Sequence, residues 1–193
     1  DRELLLLGRI HDAKQAIEAY NLARVAGLAN INIDLMFGLP GQSLEDWRDV
    51  VEGAVALRAE HLSLYALTIE EGTPIAMSLQ QGQLPAIDDA RVAEMYGLAE
   101  RVLAREGYVH YEISNWAHGR KGLDAEALPM LACAHNLKYW RNQPYLGLGA
   151  AAHSYDGCQR IANTTDPADY VTRVLSGQAA REQCENVDVV RRM

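Results

Sequence analysis

The sequence predicts an α/β fold in which parallel strands are joined by helical crossovers. Three observations carry this. Residues 30–37 and 61–68, "NINIDLMF" and "HLSLYALT", read as strands. Between them lies a stretch of helical period that starts at Ser43 and runs to about residue 58, which is the spacing of a βαβ unit. Of the 193 residues, 49% are hydrophobic, enough for a soluble protein to bury a real core. A parallel sheet or an α/β barrel is the expected architecture.

The elements follow in order. Asp12 caps a helix over 13–26, with Ala16, Ile17, Tyr20 and Ala23 on one stripe and Gly27 at its left-handed stop. In the strand 30–37, Ile31, Ile33, Leu35 and Phe37 share one face, while Asn30, Asn32, Asp34 and Met36 share the other. Gly38, Pro40 and Gly41 supply a turn, and Ser43 with Asp46 forms a capping-box-like helix start. After the strand 61–68, Thr73 caps and Pro74 opens a short helix to about residue 81. A long helix over 88–106 is closed by Gly107, and a third strand spans 108–114. Residues 116–130 are irregular, and "AHNLKYW" reads as a helical turn. Residues 145–155, rich in Gly and Ala, suit a strand with a close backbone approach. A short helix spans 166–175, and "VDVVRRM" reads as the start of another.

Composition excludes several function classes. The net charge of −8 leaves no basic excess to neutralise phosphates, so no nucleic-acid partner is expected. No apolar run approaches the length of a membrane-spanning helix, and "LLLL" at residues 4–7 is too short for a signal-peptide core. Cys133, Cys158 and Cys184 are widely spaced, which fits neither a disulfide framework nor a CxxC zinc site. A cytoplasmic location is the expectation. The first and last residues read as cuts through a longer protein.

Two constellations carry chemistry. The first is Asp34. Parallel strands covered on both faces run continuously apolar, so a carboxylate on such a face needs a reason. Ligands of α/β folds sit at the carboxyl ends of strands, where Asp34 lies, and ribose hydroxyls match a carboxylate there. The alternative is that Asn32 and Asp34 satisfy turn backbone or an arginine, Arg9 being the obvious charge partner or co-ligand. The second is "CAHNLKYW". On a helix His135 and Tyr139 share a face; imidazole, thiolate and tyrosinate all ligate heme iron, and Trp140 offers a flat apolar surface. The alternative is a His and a Tyr that hydrogen-bond a neighbouring strand. His153 is a second candidate, and His110 with Glu112 suits a hydrogen-bonded pair on one strand face. His11, His61 and His118 carry no signal.

Six stretches in order, "LGRIH", "NINIDLMFGLPGQSLEDW", "HLSLYALTIEEGTP", "YEISNWA", "CAHNLKYW" and "YLGLGAAAHSY", resemble the radical S-adenosylmethionine proteins related to oxygen-independent coproporphyrinogen III oxidase. "HNLKYW" fits the HNxxYW pattern of the heme chaperone branch, HemW. The resemblance implies the C-terminal part of a partial (β/α) radical-SAM barrel over residues 1–108, followed by an α+β extension over 109–193 that carries HNxxYW. It implies S-adenosylmethionine bound through Arg9 and Asp34, and heme bound through His135 with Cys133 and Tyr139 beside it. It also implies a 4Fe-4S cluster held by a CxxxCxxC loop; this sequence has no such loop, so the cluster ligands are expected outside the chain. The implied function is to bind heme and deliver it to heme-requiring respiratory proteins, membrane-associated recipients among them. The alternative within the same family is coproporphyrinogen III oxidase, a radical oxidative decarboxylation in porphyrin biosynthesis. One departure is the longer loop "HGRKGLDAEALPMLA" before "CAHN".

Overall fold

The computed structural model describes residues 1–119 and 131–187. The chain forms two compact units, Asp1–Ala132 and Cys133–Met193. The sequence-based division at 108/109 cuts through a strand, Tyr108–Glu112, that belongs to the first unit's sheet.

The first unit runs α1 (Arg2–Leu6), α2 (Ala13–Val25), β1 (Asn32–Phe37), α3 (Leu44–Ala56), β2 (His61–Ala66), α4 (Pro74–Gln80), α5 (Asp89–Arg105), β3 (Tyr108–Glu112) and β4 (Asn115–His118). Its helix starts are set by short polar side chains. Asp12 accepts from the Gln15 amide at 2.8 Å while Gln15 accepts from the Asp12 amide at 3.0 Å, closing a capping box on α2. Ser43 and Asp46 do the same for α3, and the Ser43 bonds hold the Asp46 carboxyl below the usual carboxylate range. Thr73 and Asp88 cap α4 and α5.

β1 and β2 pair in parallel, as the βαβ spacing predicts. The sheet order is β1-β2-β4-β3, and β4 is antiparallel to both β2 and β3. The sheet is therefore mixed rather than purely parallel. β4 escapes a periodicity reading because it has four residues, three of them buried, so no alternation is visible. Ile33, Leu35 and Phe37 of β1, Leu62 and Leu64 of β2 and Trp116 of β4 lie in one apolar cluster with Trp47 and Val51 of α3 and Met95, Ala99 and Leu103 of α5. Each large side chain buried there contributes roughly 1.5–3 kcal/mol. Trp47 stacks on Phe37 at 5.1 Å between ring centroids and donates its indole N–H to the Met95 carbonyl at 2.9 Å, so its polar atom is satisfied inside the core. Gly38 ends β1 with φ +72, and a Cβ there would sit 3.0 Å from Val92, so both the turn and the packing require glycine.

The end of α2 is tied to the start of β2 by charge. Arg24 meets Glu60 at 2.6 Å and Glu60 also accepts from the Ile31 amide at 3.0 Å. Burial pushes the Glu60 carboxyl up, but the bonds from Arg24 and the Ile31 amide outweigh it and hold the group low.

The second unit runs α6 (Ala134–Trp140), β5 (His153–Tyr155), β6 (Gln159–Asn163), α7 (Pro167–Leu175) and β7 (Arg181–Asn186), with an antiparallel sheet ordered β5-β6-β7. The strand expected over 145–155 is interrupted. Tyr145 bridges Tyr155 through a pair of backbone bonds of 2.8 and 2.9 Å, and the regular strand is β5 alone. Between them the chain turns through positive φ at Gly149 and Ala151. The close approach is real: a Cβ on Gly147 would collide with the His153 backbone, and the Gly147 amide donates to Ser154 Oγ at 2.9 Å. β6 and β7 are not visible in the sequence because their residues are largely polar, half-buried in β6 and exposed in β7; the turn at Asp156, which accepts from the Cys158 and Gln159 amides at 2.7 Å each, starts the hairpin instead. The expected irregular chain over 120–130 and the helix start after 187 lie outside the described residues.

Candidate functional site

The polar face of the first unit's sheet is continuous. Register places Asn32 beside His61 and Asp34 beside Ser63, and it places Ser63 opposite Asn115. Asp34 Oδ1 accepts from the Asn32 amide nitrogen at 2.6 Å, and that nitrogen also reaches Ser63 Oγ at 2.9 Å. Asn32 Oδ1 lies 2.7 Å from His61 Nδ1, and His61 Nε2 lies 2.7 Å from the Tyr111 hydroxyl. Ser63 Oγ donates to Asn115 Oδ1 at 2.7 Å, and the Asn115 amide nitrogen donates to Glu112. A chain of side chains thus crosses all four strands, with carboxylates at both ends. Ser63 and Asn115 are buried and their polar atoms are bonded, as burial demands. His61 is also buried, and burial depresses its pKa against the opposing charge of Asp34, which favours the neutral imidazole near pH 7.

Asp34 is exposed, and no described residue donates to its second oxygen, Oδ2. That is the arrangement a hydroxyl-bearing ligand needs: an acceptor held from one side and open on the other. Arg9 is exposed on the loop after α1, and no ion pair joins it to Asp34 among the described residues. The structure therefore places Asp34 in a built polar site and leaves Arg9 apart from its carboxylate.

The expected His110–Glu112 pair is not formed. The register shifts between these residues, Glu112 turns to Asn115, and His110 instead meets the Tyr96 hydroxyl at 3.2 Å and stacks on Trp116 at 4.2 Å. Sequence reasoning passed over His61, Ser63, Tyr111 and Asn115. The available signal was parallel pairing, which sets the alternate positions His61 and Ser63 beside Asn32 and Asp34.

In the second unit, α6 presents the His135 ring edge-on to Tyr139 at 4.9 Å, and Tyr139 meets Tyr145 at 4.6 Å. His135 is exposed, and no described residue hydrogen-bonds its ring nitrogens. Tyr139 and Trp140 are 42% and 54% exposed, and Leu146 and Leu148 are more so, which puts open aromatic and aliphatic surface in the imidazole's unit. Cys133 stands at the N-cap of α6 without capping it through its side chain, and His153 is exposed on β5. Among the described residues, no three His, Cys, Asp or Glu side chains converge as a metal site, and no helix is long and apolar enough to cross a membrane.

Comparisons with known proteins add to this geometry. No protein-family model matches the chain. It is 37% identical over 165 residues to the heme chaperone HemW of Bacillus subtilis, covering 86% of this chain and 41% of that protein. It is 36% identical over 176 residues to the heme chaperone HemW of Mycobacterium tuberculosis, covering 91% and 42%. Against the mitochondrial radical S-adenosyl methionine domain-containing protein 1 of Mus musculus it is 40% identical over 153 residues, covering 79% and 32%. The structure matches coproporphyrinogen III oxidase (HemN) of Escherichia coli, a radical SAM enzyme, with a TM-score of 0.70 at 18% identity, covering 96% of this chain and 43% of that one. At that identity the likeness shows the fold. The chain spans about two fifths of the length of the HemW relatives.

Proposed function

We propose that this chain, which is related to the HemW branch of the radical S-adenosylmethionine proteins, is the part of a full-length protein that binds heme and delivers it to heme-requiring proteins. The observation that carries the reading is the exposed His135 imidazole, flanked by Tyr139, on a segment whose relatives bear the name heme chaperone. A neutral imidazole is a common ligand of heme iron, and the exposed rings of Tyr139 and Trp140 suit the faces of a planar macrocycle. Cys133, next to α6, is the nearest soft donor in sequence.

S-adenosylmethionine would be held on the polar sheet face, with Asp34 accepting from ligand hydroxyls and Arg9 supplying charge. When bound with a 4Fe-4S cluster, S-adenosylmethionine supplies radical chemistry. The described residues do not fit such a cluster and the sequence has no CxxxCxxC loop, so its ligands would lie outside this chain. The coproporphyrinogen III oxidase reading shares the fold. The relatives at 36–37% identity carry the chaperone name, and that favours delivery over decarboxylation.

The test is hemin titration of the full-length protein, followed by the Soret band. Wild type should give a saturable shift, and His135→Ala should change the spectrum and weaken affinity by roughly tenfold or more, the equivalent of about 1.4 kcal/mol. An identical spectrum and affinity in His135→Ala would remove His135 from the site.

A further inference from the structure

We propose that His61 is a positioning residue for the Asp34 carboxylate, acting through the side-chain amide of Asn32. The proposal rests on the reading of Asp34 as an S-adenosylmethionine contact for its consequence, but the coupling itself stands on hydrogen-bond chemistry in the sheet.

An ionised carboxylate only accepts, so the group that Asn32 turns to Asp34 must be its NH₂. That fixes the amide, and its carbonyl oxygen then faces His61 Nδ1 at 2.7 Å. A carbonyl also only accepts, so His61 Nδ1 must carry the proton. In the neutral ring Nε2 is then the acceptor, and the Tyr111 hydroxyl 2.7 Å away donates to it. Glu112 fixes the Asn115 amide, and the Asn115 carbonyl takes the single Ser63 proton. Ser63 therefore offers Asn32 an acceptor at 2.9 Å; its oxygen also lies 3.2 Å from the Asn32 carbonyl, a longer approach than the 2.7 Å to Asn115 that takes the proton. Each member has one consistent orientation, and His61 is the buried anchor that holds the amide on which Asp34 leans. Without that anchor the amide can rotate, and the carboxylate loses the donor that sets its orientation while remaining charged and in place.

Long-range proton–nitrogen spectra of histidine-labelled protein near neutral pH read the tautomer directly, with His61→Asn used to assign the signals. The expected result is a protonated Nδ1 and a bare Nε2; the opposite tautomer overturns the proposal. Asp34→Ala removes the acceptor-only end of the chain and should mix the two tautomers, and a His61 spectrum unchanged in Asp34→Ala also overturns it. Three substitutions separate positioning from bulk packing, with calorimetry of S-adenosylmethionine on the full-length protein as readout. His61→Asn keeps a nitrogen donor where Nδ1 stands, whereas His61→Gln keeps the Tyr111 contact and loses that donor, and His61→Leu loses both. Affinity should fall about tenfold in His61→Gln and His61→Leu and stay within about threefold in His61→Asn, the fold-change expected for one lost charge-linked hydrogen bond. Equal losses in all three variants overturn the positioning role. If Asp34→Ala also leaves affinity unchanged, it is the S-adenosylmethionine reading that fails, and the spectra alone then decide the role of His61.

Discussion

The polar groups of the first unit are bonded to one another from Asp34 to Glu112 across the sheet, whereas the aromatic groups that single out the second unit stand open to solvent around His135. The first arrangement sits over a solid core in which Trp47, Val51, Leu62, Leu64 and Trp116 are almost free of solvent. In the second unit, Tyr155 and Val187 are the buried hydrophobic residues among those described, and every residue of β7 is exposed. A network whose buried members, His61, Ser63 and Asn115, are all bonded pre-sets its geometry, so damage spreads along it. An open ring cluster has little to lose until a ligand arrives, so damage stays with the atoms that touch the ligand.

The largest effect should come from breaking the core that makes the first unit rigid. Trp47→Ala removes the stack on Phe37 and leaves the Met95 carbonyl without its donor, and it should cost about 3–5 kcal/mol in urea unfolding. Leu148→Ala, at a residue 80% exposed in the second unit, should change stability by less than about 0.5 kcal/mol. Comparable losses in the two variants would erase the contrast between the units.

Next in size is a change at the open end of the polar network. Asp34→Ala should weaken S-adenosylmethionine binding to the full-length protein by about 1.5–3 kcal/mol, the range for a hydrogen bond to a charged group, and leave hemin affinity where it was. Calorimetry with each ligand checks this, and a parallel loss of hemin binding would show that the two units do not divide the work. A smaller loss is expected from Asp12→Ala. It removes one half of the α2 capping box and should cost about 1 kcal/mol of stability with both ligand affinities intact.

Much of this was legible in the sequence, for reasons that differ by element. β1 and the capped starts of α2 and α3 were readable because local chemistry determines them: alternation in "NIDLMF", and Asp12 or Ser43 before a helical run. Asp34 stood out because one carboxylate on an otherwise core-like strand violates a local rule. His61, Ser63 and Asn115 did not, since each is unremarkable until pairing sets β2 and β4 beside one another and beside β1. β4, β6 and β7 were missed because a short buried strand and two largely polar ones carry no periodic pattern. Arg9 was read as charge partner or co-ligand of Asp34, and no ion pair joins the two among the described residues.

The smallest effect is confined to a pH window, and it tests whether the network is as tightly set as its distances imply. Burial lowers the His61 pKa below its unfolded value of about 6.5, so between the two values the unfolded chain holds a proton that the native chain does not. The stability tied to the neutral ring is fully present above the unfolded pKa and is lost as pH falls through the native one. The native state resists that proton because burial penalises the charged ring by more than the Asp34 carboxylate favours it. Wild type should therefore lose stability more steeply than His61→Asn as pH falls from 7.5 to about 5, the difference opening below about 6.5. The remaining histidines are common to both proteins and cancel in that difference. Glu60 and Asp46 have carboxyls held low, so their contributions are lost only at pH values below this window. Parallel curves from urea unfolding across the window would mean that His61 takes up its proton freely in the folded protein. The sheet would then hold Asp34 no more firmly than the open surface holds His135.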